Sequence, residues 1–64
     1  MQTNLARIRN ISGLTQIRLS KLSDVPLRTI QMYEQRNKDI NKAQSITLLK
    51  LSRALGCEVE NLME

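Results

Sequence analysis

This sequence predicts an all-α fold: one compact domain, residues 1–64, built from five short helices. Three observations carry that prediction. Leu, Ile, Gln, Arg and Lys are plentiful, while Phe and Trp are absent and Tyr33 is the only aromatic residue. No segment alternates apolar and polar residues for long enough to make a strand. There is one proline, there are two glycines, and no repeat, linker or low-complexity run divides the chain.

The first helix is expected from about Asn4 to Asn10, with Leu5 and Ile8 on one face and a stop near Gly13. Thr15 is a good N-cap residue. A second helix therefore runs from it to about Leu22 and turns Leu19 and Leu22 to one side. Ser23-Asp24-Val25-Pro26 then breaks the pattern, since proline suits a first helical turn and disfavours helix in the residue before it. The third helix opens near Pro26 and continues through about Gln35. The polar segment Arg36–Ile40 reads as a loop. Asn41 followed by Gln44 has the form of a capping box, opening a fourth helix that ends at Gly56. The last helical segment, Val59 to Met63, is a single short turn or two.

Size and composition exclude several classes. A chain this short buries only about 60% of its unfolded surface, so its stability is marginal without added support. Cys57 is the only cysteine, so no internal disulfide forms, and with no histidine a zinc site is close to excluded. No cofactor is expected. The lone thiol suits a reducing cytosol, where it acts as a small half-buried hydrophobe. The N-terminal stretch has no unbroken apolar run, and nothing approaches the roughly 18 apolar residues of a membrane span. A soluble, cytoplasmic protein is the expectation, with no membrane partner. At this length there is no room for a separate ligand-sensing domain.

The net charge of +4 is unevenly spread. Residues 1–38 hold Arg7, Arg9, Arg18, Lys21, Arg28, Arg36 and Lys38 against Asp24 and Glu34, a balance of +5. Residues 39–64 hold Lys42, Lys50 and Arg53 against Asp39, Glu58, Glu60 and Glu64, a balance of −1. A basic front half suits a polyanion, although a solvated basic surface is an equally simple reading of charge alone.

Two short helices joined by a tight turn, the second rich in polar side chains, follow the helix-turn-helix plan. The outline is shared by many bundles; the residues are more specific. Gly13-Leu14-Thr15-Gln16, Leu19-Ser20, Val25, Thr29-Ile30 and Glu34, with Leu48, Leu51, Ala54-Leu55-Gly56 and Leu62 downstream, resemble the lambda-repressor-like (Xre-type) regulators over essentially the whole chain. Three departures bear on the turn. Ser20 stands where that family has a small Ala. Asp24 replaces a glycine that often needs positive φ, which Asp tolerates better than most residues. Pro26 replaces a hydroxyl cap. The loop after the third helix is also longer than the family pattern and lacks its glycine.

The resemblance implies double-stranded DNA as partner, with the third helix in the major groove. At about 100° per residue, Leu27, Gln31, Gln35, Arg28 and Met32 share one arc, and Thr29, Ile30 and Tyr33 lie opposite. Arg28 suits guanine, Gln31 suits adenine, and Leu27 or Met32 suits a thymine methyl. The bland reading of this arc is a solvated helix face. Gln16, at the start of the second helix, is expected to grip phosphate, together with Thr29, Arg36, Asn37 and Lys38. Each of the three loop residues fits equally well as a solubilising side chain. The family's acid on the recognition helix pairs with an arginine of the first helix, which implies an Arg9–Glu34 salt bridge here. One tyrosine is too little aromatic surface for single-strand stacking, so duplex DNA is favoured.

In the fourth helix, Leu48, Leu51, Ser52 and Leu55 share a face, and Ile46 and Leu49 project away. Those two are either scattered surface hydrophobes or an interface for a homodimer on paired half-sites. Catalysis is not expected: no histidine exists, and Cys57 has no base beside it in the pattern. The competing class is a protein-binding adaptor or antitoxin-like module, acting on a protein partner through the fourth helix and the chain end.

Overall fold

Thr3 starts the first helix: its hydroxyl accepts the Ala6 backbone N–H at 3.1 Å, and α1 spans Asn4–Ile11. The helix ends at Ser12, and Gly13 follows with φ +76°, the left-handed conformation that lets the chain reverse. In this computed structural model, which describes residues 1–64, Thr15 then accepts the Arg18 N–H at 3.1 Å and opens α2, Gln16–Ser23. The third helix, α3, spans Leu27–Glu34 behind Pro26, which gives no side-chain cap. The longest helix is α4, Ser45–Leu55, closed by Gly56 at φ +67°. Two 3-10 turns, Ile40–Lys42 and Val59–Leu62, complete the chain. The fold is all-α, with four α-helices in place of the expected five.

The last element, expected as a single short turn or two, is the 3-10 turn Val59–Leu62, where Asn61 Oδ1 accepts the Glu58 N–H at 3.0 Å; four residues suffice for one tight turn. Two expectations need correction. Asn41 and Gln44 form no capping box, because Asp39 caps a separate turn by accepting the Asn41 N–H at 2.9 Å. The Asn41 side chain is engaged with the chain end instead, accepting the Glu64 N–H at 2.9 Å, and α4 begins at Ser45 without a side-chain cap. Leu22 does not share the inward face of Leu19; it is 55% exposed. The buried stripe of α2 runs through Leu19 and Ser23, with Gln16 and Ser20 half-buried beside it, and Leu22 lies roughly 110° off its centre on a helical wheel.

Burying α2 between α3 and α4, and closing the last turn against both α1 and α4, makes one core. Leu5, Leu19, Ile30, Leu51 and Leu62 are fully enclosed, with Val25, Tyr33, Ile40 and Leu48 around them. Each helix contributes to it, so no helix is stable by itself; an eight-residue helix is too short to hold in water without such packing. No helix is long and apolar enough to cross a membrane.

Candidate nucleic-acid interface

The turn between α2 and α3 sets where α3 points. Asp24 has φ +60°, the left-handed conformation anticipated for it. Two serines hold the turn. Ser23 Oγ donates to the Leu19 carbonyl at 2.7 Å and accepts the Val25 N–H at 3.2 Å, while Ser20 Oγ donates to the Val25 carbonyl at 2.6 Å. Ser20 is thus a local fastener at the position where the family has an Ala.

On α3, Ile30 and Tyr33 are buried and Thr29 is half-buried. The opposite arc carries Arg28 and Gln35 exposed, with Leu27, Gln31 and Met32 half-buried. Arg28 takes part in none of the three ion pairs of the molecule, and neither does Lys38. Both cations are therefore unneutralised by the protein. At the start of α2, the backbone N–H groups of Gln16 and Ile17 have no carbonyl partner. These N–H groups and the exposed side chains of α3 make a surface fitted to an anionic, hydrogen-bonding partner.

A four-residue network fastens this surface from behind. Glu34 Oε2 accepts Arg9 Nε at 2.7 Å, and Glu34 Oε1 accepts Arg9 Nη2 at 2.9 Å. The two side chains are only 13% and 6% exposed. Arg9 Nη1 also donates to the Leu14 carbonyl at 2.8 Å, and Gln16 Nε2 donates to Glu34 Oε1 at 2.9 Å. The hydrogen bond from Arg9 to Glu34 raises the guanidinium above its ordinary value; burial opposes this and the carboxylate's charge adds to it. Every buried side-chain nitrogen and oxygen in the molecule has a partner.

The loop after α3 divides. Arg36 takes φ +63°, a left-handed conformation uncommon for a residue with a side chain. Its guanidinium reaches Glu64 Oε1 at 3.2 Å and the Gln2 carbonyl at 3.4 Å, toward the chain ends. Asn37 Nδ2 donates to Gln35 Oε1 at 3.2 Å. Lys38 lines an open groove with Thr29, Tyr33, Lys42, Gln44 and Thr47. Sequence reading missed Lys42, Gln44 and Thr47, because only the 3-10 turn after Asp39 swings them beside α3. It also missed Glu64 and Asn4, whose backbone N–H donates to Glu64 Oε2 at 2.7 Å. Ile46 and Leu49 lie on the outer side of α4, 53% and 39% exposed.

A helix-turn-helix family model matches residues 5–62, from within α1 to the end of the last turn. The chain is a lambda-repressor-like helix-turn-helix protein. No curated protein and no solved structure gives a significant match. Membership makes this protein a DNA-binding regulator in the general sense, and α2 and α3 are its helix-turn-helix.

Proposed function

We propose that this helix-turn-helix protein binds a specific double-stranded DNA sequence as a cytoplasmic transcriptional regulator, a repressor by preference, with α3 in the major groove. The observation that supports this reading is the unpaired Arg28 on the outer arc of α3, beside Leu27, Gln31 and Met32. Arg28 reads guanine by a bidentate contact, Gln31 reads adenine, and Leu27 and Met32 meet thymine methyls. Gln16, Thr29, Asn37 and Lys38 hold phosphates, and Lys42 joins them across the groove. Arg36 reaches the same backbone only by giving up Glu64.

The Cα extents of 24, 23 and 20 Å let one copy cover one half-site. Two half-sites lie about 34 Å apart, so a palindromic operator takes a homodimer. Ile46 and Leu49 supply apolar surface for that contact. Selection of bound fragments from a random duplex pool at near-physiological salt tests the reading. A palindromic motif whose recovery is lost in Arg28→Ala supports it. An empty selection, with a protein partner captured through Ile46 and Leu49, would replace it by the adaptor reading.

A further inference from the structure

We propose that Glu34 is the positioning residue of the DNA grip: its carboxylate holds the Gln16 amide in place, and Arg9 is there to supply the charge that makes this tolerable beside a phosphate. The inference rests on the DNA-binding reading above and assigns how one part of that surface is built.

Glu34 Oε2 takes one hydrogen bond from Arg9, and Oε1 takes two, one from Arg9 at 2.9 Å and one from Gln16 at 2.9 Å. A carboxylate only accepts, so the amide of Gln16 must turn its NH2 edge toward Glu34 and its oxygen away. That fixes the last torsion of a side chain which otherwise rotates freely. One hydrogen of Nε2 is spent on Glu34, and the second remains to donate. The side chain thus offers one N–H of defined direction next to the unpaired backbone N–H groups of Gln16 and Ile17.

Without Arg9 this arrangement would defeat itself. A carboxylate 6% exposed within reach of a phosphate contact would repel the ligand. The bidentate guanidinium cancels that charge and still leaves Oε1 an acceptor for Gln16. Because Glu34 closes α3, Gln16 opens α2 and Arg9 comes from α1, the network fixes the phosphate grip to the helix that carries Arg28. Holding groups in the bound geometry before binding lowers the entropy lost on association.

A thermodynamic cycle on a selected duplex tests this. The proteins are wild type, Gln16→Ala, the salt-bridge-free pair Arg9→Met with Glu34→Leu, the triple variant, and Arg9→Met with Glu34→Gln. Thermal melting and circular dichroism establish the temperature at which each is folded, and affinity is measured below it. Gln16→Ala and the Leu pair are each expected to weaken binding about tenfold, the scale of one hydrogen bond to a charged group, and the triple variant no more than either. The Gln pair keeps an amide oxygen for Gln16 and should bind within about threefold of wild type. A purely structural salt bridge would make the two pairs alike. Multiplying losses in the triple variant, full affinity in the Leu pair, or a Gln pair no better than the Leu pair would each overturn the proposal. The wild-type protein gives a readout that needs no variant to fold. The Gln16 side-chain NH2 should show an order parameter near the rigid value of about 0.85 before DNA is added, and a value under about 0.6 would overturn the proposal. A wild type that binds no duplex at all would remove the functional reading itself, whereas binding with a failed cycle removes only the role of Glu34.

Discussion

Two ion pairs fasten the C-terminal end of α3 and the loop that leaves it, and they differ in almost everything except charge. Arg9–Glu34, at the junction of α1, α2 and α3, is bidentate at 2.7 and 2.9 Å and nearly out of water. Arg36–Glu64, where the loop after α3 meets the chain end, is a single contact at 3.2 Å with side chains 49% and 26% exposed. At the first site both partners are largely withdrawn from water and every nitrogen and oxygen of the pair has at least one hydrogen bond, so removing one partner strands the other. At the second, water and salt screen the pair, and Glu64 has another bond to fall back on, from the Asn4 N–H at 2.7 Å. The lesson is that the worth of a salt bridge here follows from burial and completeness, not from its presence.

Removing one half of the buried pair should have the largest effect. Arg9→Met is expected to cost about 3–5 kcal/mol, lowering Tm by more than about 10 °C for a domain of this size, as read by circular dichroism. An unchanged Tm would make the buried pair worth no more than the exposed one. Arg28→Ala sits on the outer face of the same helix and should do the reverse: about 1–3 kcal/mol less discrimination for the selected duplex, with the melting curve unmoved. Thr15→Ala removes the cap of α2 and should cost about 1 kcal/mol in urea unfolding. Glu64→Gln, at the exposed pair, should lower stability by less than about 1 kcal/mol, and the difference should shrink in 1 M salt, where the Debye length is about 3 Å. Lys50→Met should leave Tm unchanged, since Lys50–Asp24 spans 3.8 Å and Asp24 is 96% exposed.

Titration adds a smaller contrast. Burial, and then the charge of Glu58, push the Cys57 thiol above its ordinary value. A thiol raised on folding contributes fully while the solution stays below the ordinary thiol range and is lost as pH climbs through the raised value. Alkylation of Cys57 at neutral pH should therefore run slower than that of the unfolded chain. The Arg9 shift is also upward, and the same sign places any loss of its contribution at strongly alkaline pH.

What could be read from residue order was what local chemistry decides. Thr15 before an amphipathic run, Asp24 at a turn that needs positive φ, and the stripe of Leu48, Leu51 and Ser52 are all decided within a few neighbouring positions. The outer arc of α3 follows from helical periodicity alone. The direction of Leu22 is not legible locally, because it depends on which flank of α2 the other helices cover, and a half-turn of helix holds two candidates. Nor is the role of Asn41, because its partner is Glu64, 23 positions away, and a side chain in demand elsewhere cannot cap. Thr3 and Glu64 lie at the extremities, where no apolar pattern marks them. No local rule links Arg9 to Glu34 across 25 positions; the resemblance pairs them, and the third member, Gln16, emerges only in three dimensions.

Tyr33 carries a practical consequence. The chain has no tryptophan and this single tyrosine, which is 7% exposed on the inner side of α3, against the groove that Lys38 and Thr47 line. The molecule therefore has one intrinsic fluorophore, with no brighter indole to mask it, seated on the inner side of α3. Its emission should report both the loss of the core on heating and any shift of that helix when a duplex arrives, with no dye attached.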